Sequence, residues 1–112
     1  MAVLNEEQSM LRDMARDWAN EQSPVTAFRK VRDAGEAIGF DPKAFAAQAE
    51  MGWTGVIIPE AYGGSDFGYL SLGLVLEETG RTLTASPLGT TALAATSALL
   101  LAGSEAQKQA WL

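Results

Sequence analysis

Apolar residues recur along this chain at intervals of three and four, the spacing that gathers them on one side of a helix. In the first segment Leu11, Met14, Ala15 and Trp18 form such a stripe. Arg12, Asp13, Arg16 and Asp17 fall on the other side and are expected to face water. Asn5 precedes them as an N-cap, with Glu6 and Glu7 at the positive end of the helix dipole. Ser23-Pro24, a cap followed by proline at the first helical position, predicts a second start. Phe28 and Val31 mark its apolar side and Gly35 its end. Residues 35–40 read as a connector. Asp41-Pro42 repeats the cap signal for a third helix through Phe45 and Ala49, closed by a left-handed Gly52. A fourth helix is expected from Gly68 to Thr79, with Ser65 or Asp66 as cap and Gly80 at its end. Pro87 opens a fifth, rich in alanine and leucine, which Gly103 closes. Ser104 caps a sixth, with Gln107 at the capping-box position. The pattern predicts an all-α fold, a compact bundle of about six helices in a single domain.

The segment between the third and fourth helices, "GWTGVIIPEAYGGSDFGYL", has the look of chemistry. Gly63 and Gly68 have the outer spacing of a phosphate-cradling loop, but Tyr69 stands where that motif needs lysine. Gly63-Gly64-Ser65-Asp66-Phe67 approaches a nucleophile elbow, but Phe67 replaces its last glycine. Pro59 holds Ile58 out of the helical region, and Gly63-Gly64 permits positive φ. The residues favour a structural crossover. Glu77 and Glu78 are adjacent in a helix, so they point about 100° apart and cannot work as facing carboxylates. Arg81, one turn on, makes them a surface ion pair instead. Trp18, Trp53 and Trp111 are too scattered for a stacking platform and are expected to pack.

Composition removes more chemistry than these motifs add. The 112 residues contain no histidine and no cysteine. Zinc clusters, thiol nucleophiles, disulfides and a Ser-His-Asp triad therefore cannot be built from this chain alone, and no metal site is expected. The net charge of -6, without a basic patch, argues against nucleic acid as a partner. The N-terminus lacks the pattern of a signal peptide. The most apolar run, Leu88 to Ala102, is interrupted by polar residues and is shorter than the ~20 residues of a membrane span. A cytoplasmic location is expected.

The fifth helix remains. It is apolar or small nearly all round, so it calls for cover on more than one face. Pro87, Thr90, Ala94 and Ser97 share a side on which small residues allow close approach. Periodicity alone leaves two readings open, a tightly packed neighbouring helix and a cavity wall. The sixth helix ends at Trp111-Leu112 without a polar tail, which suggests a piece of a larger protein.

Three stretches, "EMGWTGVIIPEAYGGSDFGYL", "LVLEETGRTLTASPL" and "LLLAGSEAQKQAWL", resemble the N-terminal domain of the acyl-CoA dehydrogenase family. Order and spacing match from Glu50 to Leu112; the first fifty residues match in helical layout. The resemblance implies a three-domain flavoenzyme whose central β domain and C-terminal helical bundle are absent from residues 1–112. It implies dehydrogenation of an acyl-CoA thioester between Cα and Cβ, with FAD as hydride acceptor and an electron-transfer flavoprotein as partner. The full-length protein is expected to be a tetramer. The family's catalytic glutamate lies in a later domain, so no catalytic residue is expected here, nor FAD bound to this domain alone. What the resemblance assigns to this domain is the wall of the acyl pocket, at Thr90 and Ala94 with Pro87 and Thr91 beside them. Small residues there imply room for a long or bulky acyl group. Two alternatives stay open: a stand-alone helical interaction module, and a flavin monooxygenase or acyl-CoA oxidase on the same fold.

Overall fold

The computed structural model describes residues 3–112, and among them every regular element is helical. Helix α1 spans Glu6–Gln22, α2 Val25–Ala34, α3 Pro42–Glu50 and α4 Gly68–Arg81. Helix α5, Thr96–Ala102, continues directly from a π-helical run, Gly89–Ala95; α6 spans Glu105–Trp111. Two single 3-10 turns, Trp53–Gly55 and Glu60–Tyr62, carry the chain from α3 to α4. The expected all-α bundle of six helices is what forms.

Local chemistry sets most of the boundaries. Asn5 accepts from the Gln8 N–H while the Gln8 side chain returns a bond to the Asn5 N–H. Asp41 accepts from the Lys43 N–H, with Pro42 in the first turn. Gly35 and Gly52 take the left-handed conformation expected of them. Ser104 and Gln107 form the reciprocal box that starts α6. Three starts and stops differ. Ser23 does not cap α2: it is buried, and its hydroxyl donates to Thr84 across the bundle (2.8 Å). Neither Ser65 nor Asp66 caps α4, which begins after Phe67 without a side-chain cap. Gly80 is helical, and the left-handed turn after α4 falls to Leu83, with φ 55°.

The core forms where α1 and α4 pack together with the crossover and the π-helical run. Ala15, Trp53, Val56, Ile57, Leu72, Val75, Leu88 and Ala92 are its buried members. Small residues let the helices approach: α1 buries Ala15 and Ala19, while Met14 of the expected stripe is half exposed. The true stripe runs through Leu11, Ala15, Trp18 and Ala19. Trp18 meets Trp53 edge to face, 5.4 Å between ring centres, the arrangement aromatic quadrupoles favour.

The crossover is tied to itself. Ser65, Asp66 and Phe67 donate backbone N–H bonds to the carbonyls of Gly55, Ile58 and Val56. Gly63 supplies a left-handed turn with φ 88°. Gly64 is required for a different reason: a Cβ there would lie 2.0 Å from the Ile58 carbonyl oxygen. From Gly63 to Phe67 every backbone N–H donates to one of the protein's own carbonyls, so this loop has none left for a phosphate.

Candidate functional site

The acids singled out in the sequence do not form a reacting pair. Glu77 is exposed, whereas Glu78 is buried and its carboxylate is clamped from both sides. Arg16 of α1 reaches one oxygen at 2.9 Å and Arg81 the other at 2.9 Å. The surface pair expected between Glu78 and Arg81 is thus a buried carboxylate bridging two helices. The Arg16 hydrogen bond, with Arg81 in support, holds Glu78 below the usual carboxylate range and outweighs burial, which pushes it up. A carboxylate fixed in its charged form by two guanidinium groups is a strut, not a base. Arg16 accordingly has a structural partner, which its place on the polar side of α1 did not foretell. Glu60 is exposed in the crossover. Tyr62 beside it donates its phenol proton to Glu105 (2.8 Å), joining the crossover to α6. That bond raises the Tyr62 pKa and keeps the proton in place.

The segment after α4 is built differently. The run Gly89–Ala95 is π-helical: Thr96 N–H reaches the Thr91 carbonyl, five residues back, whereas at the start of the run Thr91 N–H still bonds Pro87, four back. The Thr96 hydroxyl adds a second bond to the same Thr91 carbonyl (2.8 Å), which stabilises the wider turn. Thr90 turns its hydroxyl back onto the Pro87 carbonyl (2.9 Å). Both devices occupy polar groups that would otherwise need outside partners.

Leu88, Ala92 and Thr96 face inward. Thr90, Thr91 and Ala94 are exposed, Pro87 is half-buried, and Leu93 and Ala95 are exposed beside them. Three wall candidates, Thr90, Thr91 and Ala94, therefore lie on the outer side of one continuous helical run, and Pro87 lies just before it. Ser97, placed with them by helical spacing, is half-buried and hydrogen-bonded to the Tyr69 hydroxyl (2.9 Å). The outer surface carries methyl groups, the leucines Leu93 and Leu101 and two threonine hydroxyls, that of Thr90 spent on the Pro87 carbonyl, so it offers shape without charge. Such a surface can line an apolar group and exclude water. It can neither take nor give a proton.

The helical run is uncovered on one side, and it lies beside a crossover that performs only packing. Comparison with known proteins places the chain in a family. The family profile "Acyl-CoA dehydrogenase, N-terminal domain" matches residues 5–112. The chain belongs to the acyl-CoA dehydrogenase N-terminal domain family. Among curated relatives of this acyl-CoA dehydrogenase domain, a probable acyl-CoA dehydrogenase, YngJ, of Bacillus subtilis is 34% identical over 97% of the chain and 28% of its own length. The (2S)-methylsuccinyl-CoA dehydrogenase of Cereibacter sphaeroides is 38% identical over 97% of the chain and 20% of its own length. The caffeyl-CoA reductase-Etf complex subunit CarC of Acetobacterium woodii is 29% identical over 96% of the chain and 28% of its own length. The chain thus spans under a third of these relatives. No solved structure gives a significant match. Among the described residues, no helix is long and apolar enough to cross a membrane.

Proposed function

We propose that the chain is the N-terminal helical domain of an FAD-dependent acyl-CoA dehydrogenase. In the full-length protein a central β domain and a C-terminal helical bundle follow it. Pro87, Thr90, Thr91 and Ala94 form part of the wall of the acyl pocket. The observation that carries this reading is the uncovered, uncharged outer side of the run from Gly89 to Ala102, where Thr90, Thr91 and Ala94 are the small exposed residues. Its part in the reaction is to hold the acyl chain in one orientation and keep water from it, which positions Cα and Cβ and strengthens electrostatics at the reacting carbons. The base lies outside this chain, and residues 1–112 alone are inactive.

FAD, the hydride acceptor of the family's reaction, does not fit the described residues as their own ligand. Two clefts among the described residues measure about 330 and 200 Å³, near or below the lower bound for even a drug-sized molecule. The N–H groups of the glycine loop from Gly63 to Phe67 are taken up by the protein's own carbonyls. The flavin's contacts are accordingly assigned to other domains, and this domain bounds its site. An electron-transfer flavoprotein as partner is supported by the relative whose name places it in an Etf complex. A tetrameric, cytoplasmic enzyme completes the proposal.

The test is the substrate profile of the full-length protein. Ala94→Leu adds three carbons to the wall and should lower kcat/KM for long or bulky acyl-CoA thioesters by about tenfold or more, with short ones spared. An unchanged profile would contradict the wall assignment.

A further inference from the structure

The inward side of the run after Pro87 is spaced as a regular α-helix would not space it. Leu88, Ala92 and Thr96 are all buried, at two successive steps of four residues. An α-helix keeps one side inward by alternating steps of three and four, because eight residues overshoot two turns by about 80°. The π turn takes up that overshoot. A ring closed to the fifth residue back holds one residue more than an α-helical ring, so it is wider. The surplus residue lies on the outer side, where Leu93, Ala94 and Ala95 are exposed in succession between Ala92 and Thr96.

The core does not call for this surplus. With Ala95 deleted, Leu88 and Thr96 would stand one heptad apart, within about 20° of whole turns in an α-helix. Ala92 would lie between them, three residues from Thr96 and still on the same face. The same three side chains would face inward, and the backbone would bond regularly. π turns are rare, and those that occur are found frequently at functional sites. This one is fastened by a buried side chain. Thr96 donates its hydroxyl to the Thr91 carbonyl (2.8 Å), which also receives the Thr96 N–H.

We infer that the π turn is a specificity-determining device: it carries one extra residue on the outer side and so sets how far the acyl-pocket wall reaches toward the substrate. Thr96 is the positioning residue that holds it. The inference rests on the wall reading proposed above and adds that backbone width, beside side-chain size, limits the acyl group. Closing the run to an α-helix draws the wall back and makes room for a longer or bulkier acyl chain.

The test deletes Ala95, which is exposed and is not one of the four wall candidates, from the full-length protein. The variant should melt no lower than wild type, since the core keeps its phase and the helix gains regular bonds. Its kcat/KM for a long acyl-CoA thioester, relative to a short one, should rise about tenfold, the effect of room for about one methylene group. Thr96→Val keeps the shape and loses the hydroxyl, and it serves should the deletion fail to fold. It should move the ratio the same way by about threefold, whereas Thr96→Ser should leave it unchanged. An unchanged ratio in the deletion, or in Thr96→Val where the deletion does not fold, would overturn the inference, as would equal shifts in Thr96→Val and Thr96→Ser. Ala94→Leu is measured beside them. If it alters the profile and these variants do not, the π turn lacks this role and the wall reading stands; if none alters it, the wall reading itself falls.

Discussion

The crossover at 52–67 and the helical run from Gly89 to Ala102 are opposites. The crossover carries the motif that stands out, and it spends that motif on its own packing. Trp53, Val56, Ile57 and Ile58 are buried, its glycines turn the backbone, and its N–H groups bond its own carbonyls. The run after Pro87 has no motif, yet it keeps one side open and adopts a wider turn that costs regular hydrogen bonding. A recognisable sequence marks where the fold tolerates few residues. A bland one can mark where the fold leaves room for a ligand.

Breaking the crossover should give the largest effect. Gly64→Ala would set a Cβ 2.4 Å from the Ile58 Cβ and closer still to its carbonyl oxygen. Backbone must move, so the expected loss is about 4 kcal/mol or more, read by urea denaturation. A change below about 1 kcal/mol would mean the contact is not as close as described. Trp53→Ala comes next. It removes the largest fully buried side chain and the edge of Trp18's stack, with an expected cost of about 3–5 kcal/mol.

Glu78 links α1 to α4 and sharpens the comparison through pH. Its pKa in the folded protein lies below that of the unfolded chain, held there first by Arg16 and then by Arg81. Its stabilising contribution is therefore complete above the unfolded value of 4.5 and lost as pH falls through the lower folded value. Glu78→Gln should cost about 1–3 kcal/mol at pH 7, and the gap from wild type should close in acid. A gap independent of pH would assign the loss to packing instead of charge.

These effects show which parts of the molecule were written in its sequence. Caps are local, so Asn5, Asp41, Gly35 and Ser104 declared their helices. The family motif declared the fold. Interactions across the bundle were silent: Arg16 meets a residue 62 positions away, and Ser23 one 61 positions away. Three-and-four spacing put Met14 in the stripe, whereas the close approach of α1 to α4 buries the smaller Ala19. The π-helical run had no signal, because alanines and threonines satisfy either hydrogen-bond pattern and the choice is made by Thr96 and its neighbours. The proposal of Pro87, Thr90, Thr91 and Ala94 as wall residues rests on the family resemblance. Helical spacing grouped three of them with Ser97, which the structure turns toward Tyr69.

The smallest stability effects belong to the open side. Ala94 is exposed, so Ala94→Leu should change stability by less than about 0.5 kcal/mol. Glu60→Gln, in the exposed part of the crossover, should do the same. This pair isolates function from folding and tests the central claim, that the conspicuous loop is structural and the plain helix meets substrate. The measurement is kcat/KM across a series of acyl-CoA chain lengths for full-length wild type, Glu60→Gln and Ala94→Leu. The account predicts an unaltered profile for Glu60→Gln and a profile shifted toward short chains for Ala94→Leu. Loss of turnover in Glu60→Gln, with the Ala94→Leu profile unchanged, would contradict it.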